Sequence, residues 1–110
     1  MSPAGTCGET ANPYRGEATL EIGGTPRLLR PTFGALVAAE EELGPLFALV
    51  ERAGAGQLRL SEMTALFWHC LVSRDGLSRE TVGEAVMRRG LAACAKPLRV
   101  ILGQILQGSG

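Results

Sequence analysis

The chain has 110 residues, 45% hydrophobic and 20% charged, which is enough for one domain with a modest core and excludes both a disordered composition and a pair of domains. Eleven Lys and Arg balance eleven Asp and Glu, which argues against a partner held mainly by bulk charge, such as duplex DNA or an acidic membrane, and leaves a local basic face open. Cys7, Cys70 and Cys94 cannot pair completely and show no CxxC spacing, which predicts free thiols in a reducing cytoplasm and no structural zinc.

Residues 1–13 are rich in Gly, Pro, Ser, Thr and Ala without periodicity and predict a flexible tail. They hold neither a basic stretch nor an apolar one, and no apolar run in the chain approaches the ~18 residues of a membrane span, so a soluble, unsecreted protein is expected. From Glu17 the pattern alternates, with Glu17, Thr19 and Glu21 on one face and Ala18, Leu20 and Ile22 on the other, the period of a half-buried strand. Gly23-Gly24 supplies the turn of a hairpin whose return strand is Thr25 to Arg30. Pro26 cannot donate to a ladder, so its nitrogen must face the outer edge. A lone hairpin of this length is marginal in water, and its apolar face must lie on helices or on another chain.

Thr32 predicts an N-cap for a helix with Phe33, Leu36, Val37 and Leu43 on its inner side and Glu40, Glu41 and Glu42 in solvent, ended by Gly44-Pro45. A short second helix places Leu46, Phe47, Leu49 and Val50 inward and stops at Gly54-Ala55-Gly56. A third is capped by Ser61, with Glu62 at its positive end. Its Met63, Leu66, Phe67, Cys70 and Leu71 form one stripe, and Trp68 and Val72 a second apolar side, which makes it central. After the Arg74-Asp75-Gly76 turn, Leu77 and Val82 predict a hydrophobic staple around the cap Ser78, and Gly90 stops the fourth helix. The last helix carries Leu91, Cys94, Leu98, Ile101, Leu102, Ile105 and Leu106 and is kinked at Pro97, and residues 107–110 fray. The fold class expected is α+β, mainly α: an N-terminal β-hairpin packed on about five helices, one domain over residues 14–107. Its core includes Leu36, Leu66, Phe67, Cys70, Leu98 and Leu102.

No catalytic constellation stands out. His69 and Cys70 are adjacent on a helix and point about 100° apart, so they form no local dyad. Cys70 continues an apolar stripe and Cys94 does the same, which reads as packing. The single His has no second His and no carboxylate at a metal-binding spacing, so no metal and no cofactor are expected. Three successive glutamates fan around a helix rather than converge. Residues 76–83, Gly-Leu-Ser-Arg-Glu-Thr-Val-Gly, resemble the start of the recognition helix in winged helix-turn-helix regulators of the catabolite-activator type, where Arg79, Glu80 and Thr81 would meet base edges. The preceding turn is longer than that motif uses, and helix-start physics alone explains Ser78 and Glu80. Basic residues concentrate at Arg15, Arg27 and Arg30 and at Arg88, Arg89, Lys96 and Arg99, where ordinary solubility explains them and an acidic partner is the alternative.

Read whole, Asn12-Pro13-Tyr14-Arg15-Gly16-Glu17, Leu20-Glu21-Ile22-Gly23-Gly24, Leu29-Arg30-Pro31-Thr32-Phe33-Gly34-Ala35-Leu36, Glu40 and Leu43-Gly44 form a pattern similar to the small tail protein of gene transfer agents and related siphophages. Leu58 to Leu60, Gly76-Leu77, Val82-Gly83 and Gly90-Leu91 match the helix starts of that family in order. The resemblance implies a tail assembly chaperone, a class sometimes labelled tail tube proteins. Such a protein coats the long, helical tape measure protein in the bacterial cytoplasm until tube subunits polymerise, with tube subunits or a second copy as further partners. No enzyme activity is expected. Phe33, Leu36, Phe47 and Trp68 are the candidate contacts, since aromatic anchors dominate such interfaces. A structural tail component and a DNA-binding regulator are the alternatives.

Overall fold

The computed structural model describes residues 17–107. Two antiparallel strands, β1 (Ala18–Ile22) and β2 (Thr25–Leu29), are followed by helices α1 (Phe33–Leu43), α2 (Leu46–Gly54), α3 (Leu60–Cys70), α4 (Arg79–Arg89) and α5 (Leu91–Gln107). The chain is therefore α+β and mainly α. The tail expected over residues 1–13, with Cys7, then Tyr14, Arg15 and Gly16, and residues 108–110 lie outside the described residues.

The hairpin turns at Gly23 and Gly24, whose φ angles of 61° and 83° lie where a side chain is disfavoured. Its register pairs Ala18 with Leu29 and Ile22 with Thr25. Ala18, Leu20 and Ile22 are buried and Thr19 and Glu21 exposed, as the alternation requires. Glu17 departs from it: the residue is buried, and its carboxylate accepts from Arg30 Nε at 2.7 Å. A charge this enclosed needs such a partner.

The hairpin is fastened to the helices through β2. Arg30 N–H donates to the Cys70 carbonyl at 2.7 Å, Val72 N–H donates to the Leu28 carbonyl at 3.0 Å, and Leu29 and Leu71 form an antiparallel bridge. The end of α3 thus serves as a third, very short strand. Pro26 shares the outward-facing parity of Leu28 and Arg30, so its missing N–H falls on the edge away from β1, as expected.

α3 is central, packed on α1 on one side and α4 on the other. Met63, Leu66, Phe67, Cys70 and Leu71 are all buried. They join Leu29, Ala39, Leu49, Val82, Val86, Cys94, Leu98, Ile101 and Leu102 in one core, with Leu36 at its margin. Val72, placed on a second apolar side, is exposed. α5 is one helix through Pro97 and reaches Gln107, and Leu91 and Leu106 stand at its exposed ends rather than in the core stripe.

Local chemistry explains most helix starts. Thr32 Oγ1 accepts from Ala35 N–H, and Ser78 Oγ accepts from Thr81 N–H. Gly44 and Gly90, at positive φ, close α1 and α4. The expected Ser61 cap is a correction: α3 begins at Leu60 with Arg59 as N-cap, and the Glu62 carboxylate accepts from Arg59 N–H at 2.9 Å. An acceptor three residues inside the helix thus satisfies the N-cap amide, the reciprocal half of a capping box.

Candidate partner interface

Among the described residues, α1 and α2 carry the two most exposed aromatic rings. Ala39 is the fully buried residue of α1. At about 100° per residue, Ala35, Leu36 and Leu43 lie on its side, whereas Phe33 and Val37 fall roughly 120° and 160° away. Phe33 is accordingly 86% exposed and Val37 is also in solvent, which corrects the inward placement of both. In α2 Leu49 is buried, and Phe47, two residues before it, points to the opposite side and is 65% exposed. It too had been placed inward. Leu36 is half-buried against the core. Of the four candidate contacts, two are therefore open rings and one is mostly packing.

Trp68, the fourth, is half-buried in a polar cluster. The Arg74 guanidinium lies 4.9 Å from its ring centroid and that of Arg79 6.0 Å, both within cation–π range. Arg79 forms a two-point pair with Glu42, and His69 Nε2 lies 2.8 Å from Glu42 Oε1. Arg79, and next His69, hold the Glu42 carboxyl down from 4.5 to about 2. Its neighbour Glu40 accepts from Leu46 N–H at 3.1 Å and so caps α2, which has no hydroxyl cap of its own. Two of the three glutamates read as a solvated face are thus structural, and His69, read as facing solvent or a partner, is tied down. Glu62, bonded by Arg52 at 2.7 Å as well as by the Arg59 amide, is likewise held at about 2.

The cluster offers little chemistry. Burial pushes the Cys70 thiol up to about 12, so the nucleophilic thiolate is scarce at neutral pH. Cys94 is buried and shifted in the same direction by the same cause. Among the described residues no group of His, Cys, Asp and Glu is placed to hold a metal ion, and no helix is long and apolar enough to cross a membrane. Arg79, which a base-reading helix would present to a groove of DNA, is engaged by Glu42. Of the two basic concentrations, Arg30 pairs with Glu17 and Arg89 with Glu21.

A second open surface runs between α3 and α4. Its walls are Leu60 and Thr64 on one side and Gly83, Glu84 and Met87 on the other, with Glu42 and Arg79 at one end. Sequence reasoning passed over it, because it forms only when the two successive helices are laid side by side.

These features define a small helical domain with a fastened hairpin, an ion-paired shell and apolar groups left in solvent. The family model described as "Phage tail tube protein, GTA-gp10" matches residues 15–108, and the chain belongs to that family. No curated protein and no solved structure matches the chain. A role in a phage-type tail, structural or in assembly, follows from the membership.

Proposed function

We propose that the chain is a non-catalytic tail assembly chaperone that holds an apolar helical stretch of the tape measure protein in the bacterial cytoplasm until tube subunits polymerise around it. The observation that carries this reading is the pair of open rings, Phe33 and Phe47, on α1 and α2. Aromatic side chains bury large areas at low entropic cost, and their exposure on helices suits a helix-in-groove partner. Two points favour assembly over a place in the tube wall. A tube subunit built as a closed barrel needs on the order of eight strands, and the described residues supply two. One of the two edges by which the hairpin could extend a neighbour's sheet, the outer edge of β2, is already paired with Cys70 and Val72. The absence of a proposed reaction rests on the buried thiols and on a histidine engaged with Glu42.

The test is co-expression with the tape measure protein of the same tail gene cluster. A soluble complex that survives size-exclusion chromatography is expected, and Phe33→Asp combined with Phe47→Asp should release it. Equal solubility of the tape measure protein with and without this chain, and no complex, would defeat the reading. The family description names a tube protein, so a structural tail component is the second reading. Stoichiometric recovery of the chain from purified particles would favour it.

A further inference from the structure

We infer that the groove between α3 and α4 is a docking site for an amphipathic helix whose apolar stripe is flanked by Lys or Arg; the inference rests on the chaperone reading only for which protein supplies that helix. The groove encloses about 490 Å³ and has a floor of small side chains, Thr64, Ala65 and Gly83. Leu60 and Met87 stand at its margins, 40% and 68% exposed.

Gly83 is the first sign that something external belongs there. It sits in the middle of α4 at ordinary helical φ, where Gly is less favourable than Ala. Nothing inside the chain requires it: an added Cβ would meet only the Thr64 side chain, at 3.6 and 3.7 Å, which is ordinary contact. A glycine that neither the backbone nor the packing demands keeps the helix surface low, and a low surface lets another backbone approach closely.

Thr64 is the second, independent sign. The residue is 8% exposed, and its Oγ1 is buried without a hydrogen-bond partner. A helical threonine can bond back to the carbonyl four residues earlier, and a buried hydroxyl left unpaired is destabilising. Here the orphan lies under Gly83 and is shielded from solvent, so a polar group from an incoming chain would satisfy it only after the Thr64 side chain rotates toward the groove.

Charge decides the kind of helix. Glu80 and Glu84, one turn apart on α4, line the groove and have no ion-pair partner among the described residues. The Arg79 cation at the same wall is neutralised by Glu42. The rim is therefore acidic over an apolar floor, which selects cationic flanks on the partner. From Arg79 to Met87 the wall is about 12 Å long at 1.5 Å per residue, matching two helical turns. An extended peptide would find no free backbone groups along a helix interior to pair with, whereas a helix satisfies its own.

The probe is a fluorescein-labelled synthetic helix of roughly six turns, with Leu and Ala on one stripe and Lys on the flanks, beside a twin with Glu for every Lys. Anisotropy titration with the full chain should show the Lys peptide binding and the Glu twin weaker by about tenfold or more. Gly83→Leu should weaken the Lys peptide by at least about tenfold, whereas Gly83→Ala should fold with equal or higher stability. Combined Glu80→Gln and Glu84→Gln, both at the surface, should remove the preference between the peptides even if Gly83→Leu folds poorly. Equal binding of both peptides, undiminished binding by a folded Gly83→Leu, or a concentration-dependent dimer lost in that variant would overturn the inference, the last by assigning the groove to a second copy. The two readings fail separately. If a folded Gly83→Leu binds the Lys peptide undiminished while the unsubstituted chain holds the tape measure protein, the groove assignment falls and the chaperone reading stands. If the unsubstituted chain binds the Lys peptide but not the tape measure protein, the groove stands and the chaperone reading falls.

Discussion

The Glu42 carboxylate meets the Arg79 guanidinium on one side and His69 on the other, and that contact holds it at about 2 instead of 4.5. A depressed carboxylate value stabilises the fold above the unfolded value and ceases to do so as pH falls through the folded one. The contribution is thus complete above about pH 4.5 and fades toward pH 2. Because the side chain is 37% exposed, solvent screening keeps the effect near the ~0.2–1 kcal/mol of a surface pair. Glu42→Gln should therefore unfold at a lower urea concentration at pH 7, and its deficit should shrink between pH 4.5 and 2; a deficit unchanged across that range would show that the ionised pair is not its source. Glu62, held low by Arg52, remains in the variant and gives it a residual acid sensitivity of the same sign. Cys70 tests the opposite kind of shift. Its thiol, 1% exposed and raised to about 12, should resist iodoacetamide at pH 8 in the folded chain and react once urea unfolds it. Fast alkylation of the folded protein would contradict the burial. Cys70 shows its burial through the stripe it continues, but His69 and Arg79 lie 27 and 37 positions from Glu42, and no short-range pattern announces their meeting.

Elements whose chemistry is local were readable, and those set by neighbours were not. Thr32 and Ser78 cap because a hydroxyl at the start of an apolar periodicity has a backbone N–H within reach three residues on. Gly23-Gly24 turns because few other residues accept two positive φ values in succession. α1 was misjudged because its buried face is made of Ala35, Leu36 and Ala39, so the small residues face inward and the large Phe33 outward. Hydrophobic size alone points the wrong way there. The groove between α3 and α4 was missed for a related reason, since its floor is small and its unpaired Thr64 hydroxyl becomes unusual only once burial is known. Pro97 gives the test at this scale. α5 continues through it, yet the ring cannot donate to the carbonyl four residues back, a loss worth up to ~3 kcal/mol in a helix interior. Pro97→Ala should raise the midpoint of urea unfolding. A lower midpoint would mean that the ring's packing beside Leu20 and Val100, with which it lines a groove along β1, outweighs the missing hydrogen bond.

At the scale of the whole molecule, the fastening of β2 to the end of α3 determines whether hairpin and helices can come apart. A hairpin of two five-residue strands has little stability of its own. Here it contributes Ala18, Leu20, Ile22 and Leu29 to the same core as the helices, and Arg30 and Val72 close hydrogen bonds between the two parts. The residues that hold the parts together are also those that seal one sheet edge, so loosening the hairpin would expose both apolar surface and unpaired backbone. Folding should accordingly be a single cooperative transition, with far-ultraviolet circular dichroism and Trp68 fluorescence tracing the same curve. The Arg30 and Val72 amides should exchange with solvent hydrogen as slowly as those of α3, since both would open only with the core. Leu29, fully buried at the junction, is the residue on which this depends. Leu29→Ala should cost about 2–5 kcal/mol, a large share of the ~5–15 kcal/mol that domains of this size possess. It should lower both spectroscopic transitions together. A variant whose hairpin amides exchange rapidly while α3 stays protected would show instead that the hairpin is a separable flap, and the helices would then be the unit that folds.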